Sequence, residues 1–231
     1  MKTKLIAAVL TGLFSSTSFA QDLSISLTNL SHGNHFTPVL VAAHATQQHM
    51  YQLGEAASSS LQAMAEGGDI SYLSTDFQAL AADLVSNPAA GLMAPGQTVQ
   101  FEMTTRHDNN RLSIVAMILP TNDGFVGVDS LSIPKKRGRY EYFLNGYDAG
   151  TEVNDEIING AGAPGAPGIP ADPLGANGSN ASGAAQSENN QGVHVHRGVL
   201  GDTDVNGGIS DLDSRVHRWI NPVARLIIEV K

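Results

Sequence analysis

The feature that most constrains this chain is the run Ile114 to Leu119, six consecutive apolar residues that stop at Pro120 and open into Thr-Asn-Asp-Gly. An unbroken apolar stretch of strand length, bounded by turn formers, suits a strand buried on both faces in a sandwich interior. Pro120 cannot donate to a ladder, and Asn122, Asp123 and Gly124 supply turn chemistry, so the chain should reverse there and leave Asp123 on the rim of a sheet. A second acidic turn follows at Tyr147-Asp-Ala-Gly-Thr-Glu152. Two such turns at one rim bring together the oxygen donors that a hard cation takes.

The rest of the pattern is mostly strand. Leu23, Ile25 and Leu27 alternate with Ser24, Ser26 and Thr28, and Val99, Phe101 and Met103 alternate with Gln100, Glu102 and Thr104, the period of a half-buried strand. Further strands are expected over 111–119, 139–144, 193–199 and 224–231. Helical spacing of Leu53, Ala57, Leu61 and Met64 predicts a helix over 47–66, closed by Gly67 and Gly68. A second helix is expected from Thr75 and Gln78, at capping-box spacing, with Phe77, Leu80, Ala81 and Leu84 on its apolar face and Pro88 as its stop. The class is all-β, an antiparallel β-sandwich with a short helical insertion near its N-terminal side.

Leu119-Pro-Thr-Asn-Asp-Gly-Phe-Val-Gly127 and Tyr147-Asp-Ala-Gly-Thr-Glu152 resemble the two acidic turns of the spondin domain, the N-terminal-type module of F-spondin and mindin. The family pattern there is Pro-Ser-Pro-Asp-Trp-Phe-Val-Gly and Trp-Asp-Ala-Gly-Thr-Asp. Thr37-Pro38, Ala43-His44, the segment 54–67 and Pro222-Val-Ala-Arg225 are similar to its early segment and final strand. The resemblance implies a C2-like sandwich, an adhesive or matrix-binding role, and a calcium ion held at positions that fall on Asp123, Asp148 and Glu152. This chain departs from the pattern twice, with Glu152 where the family usually has Asp and Gly124 where it has an aromatic residue. Glutamate reaches farther and binds bidentately, which alters affinity without removing the site. Asp129 is open to a supporting role or to capping a turn.

Residues 1–20 carry Lys2 and Lys4, an apolar run from Leu5 to Leu13, and Ser18-Phe-Ala20 before Gln21, the layout of a cleaved secretory signal. The apolar run is well short of the roughly 20 residues that span a bilayer. Cleavage near Ala20 is expected to place 211 residues, 21–231, in a single sandwich domain in the periplasm or outside the cell. There is no cysteine, so neither acylation at a lipobox nor a disulfide is available, and the fold rests on its core and any metal it holds. Without Lys2 and Lys4 the chain has 22 acids against 11 bases, a net charge of -11 that argues against nucleic acid and anionic membranes. The short run Lys135-Lys-Arg-Gly-Arg139 reads as a solvated hairpin end.

Residues 159–192 are dominated by Gly, Ala, Pro, Asn and Ser, a composition that buries little and predicts a mobile loop inserted between two strands. Gly160, Gly162 and Gly165 match a dinucleotide fingerprint in spacing, but Pro164, Pro167 and Pro170 preclude the helix that such a site needs. Asp202-Thr-Asp204-Val-Asn206-Gly207-Gly-Ile209-Ser-Asp211-Leu-Asp213 follows a calcium-loop order, making Asp202, Asp204, Asn206 and Asp213 a second candidate set, with Asp213 in place of the usual Glu. The same residues form turns without metal. His194 and His196 stand two apart on an expected strand and would share a face, though no third transition-metal ligand is evident. His32 and His35 form a weaker pair.

The chain lacks a cysteine nucleophile, a G-x-S-x-G elbow, an H-E-x-x-H helix and a P-loop. Two functions of different class fit the acidic turns. One is a non-enzymatic, Ca2+-supported module that binds an extracellular protein or glycan, with neither nucleic acid nor membrane insertion. The other is a metal-dependent hydrolase or carbohydrate-active protein. A structural ion would be caged, whereas a catalytic one needs an open position in a cleft.

Overall fold

The structure is a computed structural model that describes residues 20–106, 108–175 and 177–231. Of the export signal expected over residues 1–20, all but Ala20 lies outside the described residues, as does His107. In chain order the elements are β1 (Gln21–Asn29), β2 (His35–Phe36), β3 (Leu40–His44), α1 (Ser59–Gly67), α2 (Ser71–Ala79), β4 (Asp83–Ser86), β5 (Thr98–Thr105), β6 (Arg111–Leu119), β7 (Gly124–Ser132), β8 (Gly138–Asp148), β9 (His194–Val195) and β10 (Ala224–Val230). All strand pairings are antiparallel, along the path β4-β3-β6-β7-β8-β10-β1-β5, with β2 added to β6 and β9 to β8. The ends of the path meet: the Arg106 guanidinium after β5 lies 3.0 Å from the carboxylate of Asp83 at the start of β4, nearly closing the sheet on itself.

The apolar run of β6 is unbroken because both of its faces are covered. Leu112, Ile114, Ala116 and Ile118 point into the core between the sheet layers, beside Leu23, Ile25 and Leu27 of β1 and Leu226 and Ile228 of β10. Val115, Met117 and Leu119 point the other way, under Leu61 and Met64 of α1 and Leu73 and Phe77 of α2. Each such fully buried side chain contributes about 1.5–3 kcal/mol relative to exposure. The period-2 expectations for β1 and β5 agree with this packing, and β6 has the expected bounds.

The helical insertion is present but shorter than its periodicity suggests. α1 starts at Ser59, where the Ser58 hydroxyl accepts from the Leu61 N–H at 3.1 Å. The preceding residues form backbone hydrogen bonds between Gly54 or Glu55 and Val193, an alternative to helix that the local pattern did not reveal. α2 lies earlier than expected: Thr75 sits within it, its hydroxyl donating back to the Ser71 carbonyl, and Leu84 belongs to β4 instead. Ala81 takes a positive φ of 58°, which turns the chain out of the helix and into the sheet. The strand expected over 193–199 is reduced to His194–Val195.

Candidate metal centre

Strand register builds the acidic rim. Gly124 of β7 pairs with Asp148 of β8, and Asp148 pairs on its other side with His194 of β9. Asp123, one residue before β7, therefore stands beside the end of β8, where the Ala149 N–H donates to its carbonyl at 3.2 Å. The turn after β8 then folds back over it. Asp123 Oδ2 accepts from the Thr151 N–H at 2.7 Å, the Thr151 hydroxyl at 3.1 Å and the Glu152 N–H at 3.1 Å.

Three carboxylates are thus buried at one place, and they are not equally satisfied. Asp123 has no exposed surface, and its Oδ1 receives no hydrogen bond. Burial, and after it the charge of Asp148, push the Asp123 carboxyl up to about 7. Glu152 Oε2 accepts from the Gly168 N–H at 3.0 Å and from Asn122 Nδ2 at 3.4 Å, while its buried Oε1 receives nothing. Burial also pushes this carboxyl up to about 7. Asp148 is better served, with Oδ1 accepting from the Gly150 N–H and Oδ2 from Asn154 Nδ2, both at 2.8 Å. Among the described residues no lysine or arginine forms an ion pair with any of the three.

His194 and His196 both turn their Nε2 atoms toward Asp148 Oδ2, at 3.8 and 4.0 Å. They do so in different tautomers. Nδ1 of His194 donates to the Gly192 carbonyl at 2.8 Å, leaving Nε2 with a lone pair; Nδ1 of His196 accepts from the Gly198 N–H at 2.9 Å, so the proton of the neutral ring is on Nε2. Burial holds His196 down at about 4, in that neutral form. An Nε2 that carries a proton has no lone pair for a metal, so the pair does not act as two imidazole ligands. Among the described residues, no three His, Cys, Asp or Glu side chains are placed so that together they could hold a metal ion. The charge of Asp148 raises the proton affinity of Asp123, and those of Glu66 and Asp123 raise that of Glu152, but the three carboxylates stop short of a cage. Their donors are nevertheless all oxygen, and the two without partners are carboxylate atoms, the composition that suits a hard cation.

Several residues that hold the rim had no local signal. Asn122 donates to Glu152 and Asp155 and accepts from the Glu156 N–H. Glu156 reaches into the C-terminal segment, where its carboxylate accepts from the Leu200 N–H at 2.6 Å, the Gly201 N–H at 2.9 Å and the Ser210 hydroxyl. Glu66 of α1 accepts from the Gly165 N–H at 2.6 Å. The 159–192 segment has no named helix or strand among its described residues, yet it lies against the rim through Gly165 and Gly168 and buries Ile169 completely. Gly124 now has a reason as well: a Cβ there would lie 2.8 Å from Thr121 Oγ1 and 3.1 Å from the His196 ring.

The other sequence candidates lie elsewhere. Asp129 sits within β7, away from the rim, and accepts from the Met50 N–H at 2.7 Å and the Ser113 hydroxyl at 3.1 Å. In the 202–213 loop, Asp202 accepts from the N–H groups of Asp204, Ile209 and Ser210, and Asp204 from that of Asn206. Asp213 faces the guanidinium of Arg215, whose hydrogen bonds hold it down at about 2. Asn206 is exposed. Asp202, Asp204 and Asp213 line a cavity of about 350 Å³, but their carboxylates are turned to backbone donors and to Arg215. His35 lies apart from both, half-buried, with a buried and unpartnered Nδ1 and a pKa lowered by desolvation.

Comparison with known proteins identifies a family. The family described as Spondin_N matches residues 7–157. Human Spondin-2 is 32% identical over 127 residues, which are 51% of this chain and 38% of that protein, and rat Spondin-2 matches with the same figures. The match therefore spans well under half the length of these curated relatives.

Proposed function

Because this chain belongs to the Spondin_N family, we propose that it is an exported, non-enzymatic β-sandwich module whose acidic rim takes up Ca2+ and presents an ordered surface to an extracellular partner. One observation carries the calcium reading. Asp123 Oδ1 and Glu152 Oε1 are buried with no hydrogen-bond donor, and both carboxyls are driven up to about 7 by burial. Leaving a buried acceptor unsatisfied costs about 1–3 kcal/mol and a buried charge more, so such a pair is retained where something else satisfies it. Asp123, Asp148 and Glu152 would hold the ion, with backbone carbonyls of the two turns completing an oxygen shell. When bound it would supply the positive charge that the rim lacks. The side chains of Asn122 and Asn154 keep the carboxylates in place, and the N–H groups of Thr151 and Gly168 tie the turn and the Gly-rich segment to them.

Adhesion is the role we attach to that ordered rim, with a protein or glycan as the partner. Export agrees with the signal-like residues 1–20; among the described residues no helix is long and apolar enough to cross a membrane. The decisive test is a calorimetric calcium titration of the metal-stripped chain beside Asp148→Asn and Asp204→Asn. Binding that survives Asp204→Asn and disappears in Asp148→Asn supports the rim. No binding at millimolar calcium overturns it.

A further inference from the structure

The end of the sandwich opposite the rim carries the reverse charge. Arg139 and Asp148 lie at the two ends of β8, nine residues apart, and so stand about 30 Å from each other at about 3.3 Å per residue. Four of the chain's 13 lysines and arginines fall within five residues at the far end, Lys135, Lys136, Arg137 and Arg139, in a protein of net charge -9. All four are exposed, and among the described residues none forms an ion pair. The backbone beneath them is fixed. Ile133 is buried and its N–H donates to the Asn110 carbonyl at 3.0 Å, Gln21 Nε2 donates to the Pro134 carbonyl at 2.8 Å, and the Tyr140 hydroxyl donates to the Lys136 carbonyl at 2.9 Å. The acids near this end include Asp22, hydrogen-bonded to Thr104, Glu102, engaged by Lys231, Glu229, which stands opposite Arg139 in the β8/β10 register, Glu141, two residues along β8 and 3.8 Å from Arg225, and Asp108, whose carbonyl accepts from the Asn110 N–H.

We infer that the β7–β8 hairpin, residues 133–139, is a docking site for the anionic groups of a flexible acidic polysaccharide, of the sulfated-glycan type. Charge complementarity selects an anion, and the shape of the field selects a linear one. At physiological salt the screening length is about 8 Å, so the acidic rim does not reach the hairpin, whereas a flat membrane or a rigid duplex would meet the acidic flanks as well. A flexible chain touches the tip alone and trails into solvent. Residues 132–139 contain no aromatic side chain, and the adjacent Tyr140 is packed against the core with its hydroxyl on the Lys136 carbonyl, so the row of open rings on which single-stranded nucleic acid stacks is missing. The site is independent of calcium, so it stands or falls apart from the rim.

The test is fluorescence anisotropy with a labelled heparin oligosaccharide and the full chain. Binding should be measurable at about 50 mM salt and weaken steeply toward about 200 mM, as counterion release requires. Lys135→Gln/Lys136→Gln/Arg137→Gln should lose about tenfold or more in affinity and flatten the salt dependence, with an unchanged melting curve. Arg197→Gln/Arg215→Gln/Arg218→Gln removes the same charge from other exposed positions and should change affinity by less than about threefold. Asp148→Asn should bind as the parent does. Equal losses in the two triple variants would mean that net charge, and no built site, governs binding. No binding at low salt, parent-like binding by the hairpin variant, or tighter binding to a single-stranded oligonucleotide or to phosphatidylglycerol vesicles would each overturn the assignment.

Discussion

The two ends of β8 are made in opposite ways. At Asp148 the carboxylates are buried and bound to donors from residues as distant as Asn122 and Gly168, and the cluster retains orphaned oxygens. At Arg139 the charges come from one contiguous segment, stand in solvent and touch little. Burial magnifies each charge at the first end and water screens each at the second, so single substitutions should matter at the rim and only combined ones at the hairpin.

The largest expected effect tests how tightly the rim is packed. Gly124→Val puts a branched side chain where a Cβ already meets Thr121 and His196, and should lower stability by about 1–3 kcal/mol in a denaturant melt. A parent-like midpoint would show that the rim is soft. Asp123→Asn should work the other way without metal. Its Oδ1 can keep the donors now on Asp123 Oδ2 while the amide replaces the orphaned oxygen, so metal-free protein at neutral pH should gain about 1–2 kcal/mol and lose its calcium response. Loss of stability together with a retained calcium response would break the contrast between the ends.

A smaller effect follows from pH. The Asp123 carboxyl rises from 3.8 to about 7 on folding, and that of Glu152 from 4.5 to about 7. Each binds its proton more tightly in the folded state, so the stability it contributes is present below the lower value and lost as pH rises through about 7. His196, lowered from 6.5 to about 4, has the opposite sign: its contribution is present above 6.5 and lost as pH falls toward 4. Melting curves of metal-free protein should therefore combine a falling and a rising limb, and Asp123→Asn should remove part of the falling one. Calcium bound at the rim as proposed would compete with those protons, and should then raise the melting temperature more at pH 8 than at pH 5. The smallest effect is at the hairpin, where Lys135→Gln/Lys136→Gln/Arg137→Gln should shift stability by less than about 0.5 kcal/mol.

Much of the sheet was legible because its signals are local. The alternation of β1 and β5 and the two-sided apolar run of β6 stand in the sequence and again in the packing. The helices were less so. Residues 47–58 carry helical spacing, yet Gly54 and Glu55 bond to Val193 instead, and Leu84 joins a strand because Asp83 to Ser86 find a partner in β3. Strand β7 was hidden behind its own turn residues, since Gly124 and Gly127 read as loop formers until their neighbours show why no side chain fits there. At the rim, Asp123, Asp148 and Glu152 were named from the two acidic turns, but nothing local pointed to Asn122, Asn154, Glu66 or Gly168.

The sequence by itself determined the elements whose cause is a side-chain period or a turn residue: an antiparallel sheet, a reversal at Pro120 to Gly124, acids in two turns and bases in a third. Only the tertiary structure decided that the two acidic turns share one rim and the basic turn lies at the other, because strand register and chain closure are long-range. It also decided which oxygens at the rim lack a donor. Hydrogen-bond satisfaction depends on groups up to about a hundred residues apart, such as Glu66 and Gly165, and no window along the chain contains both.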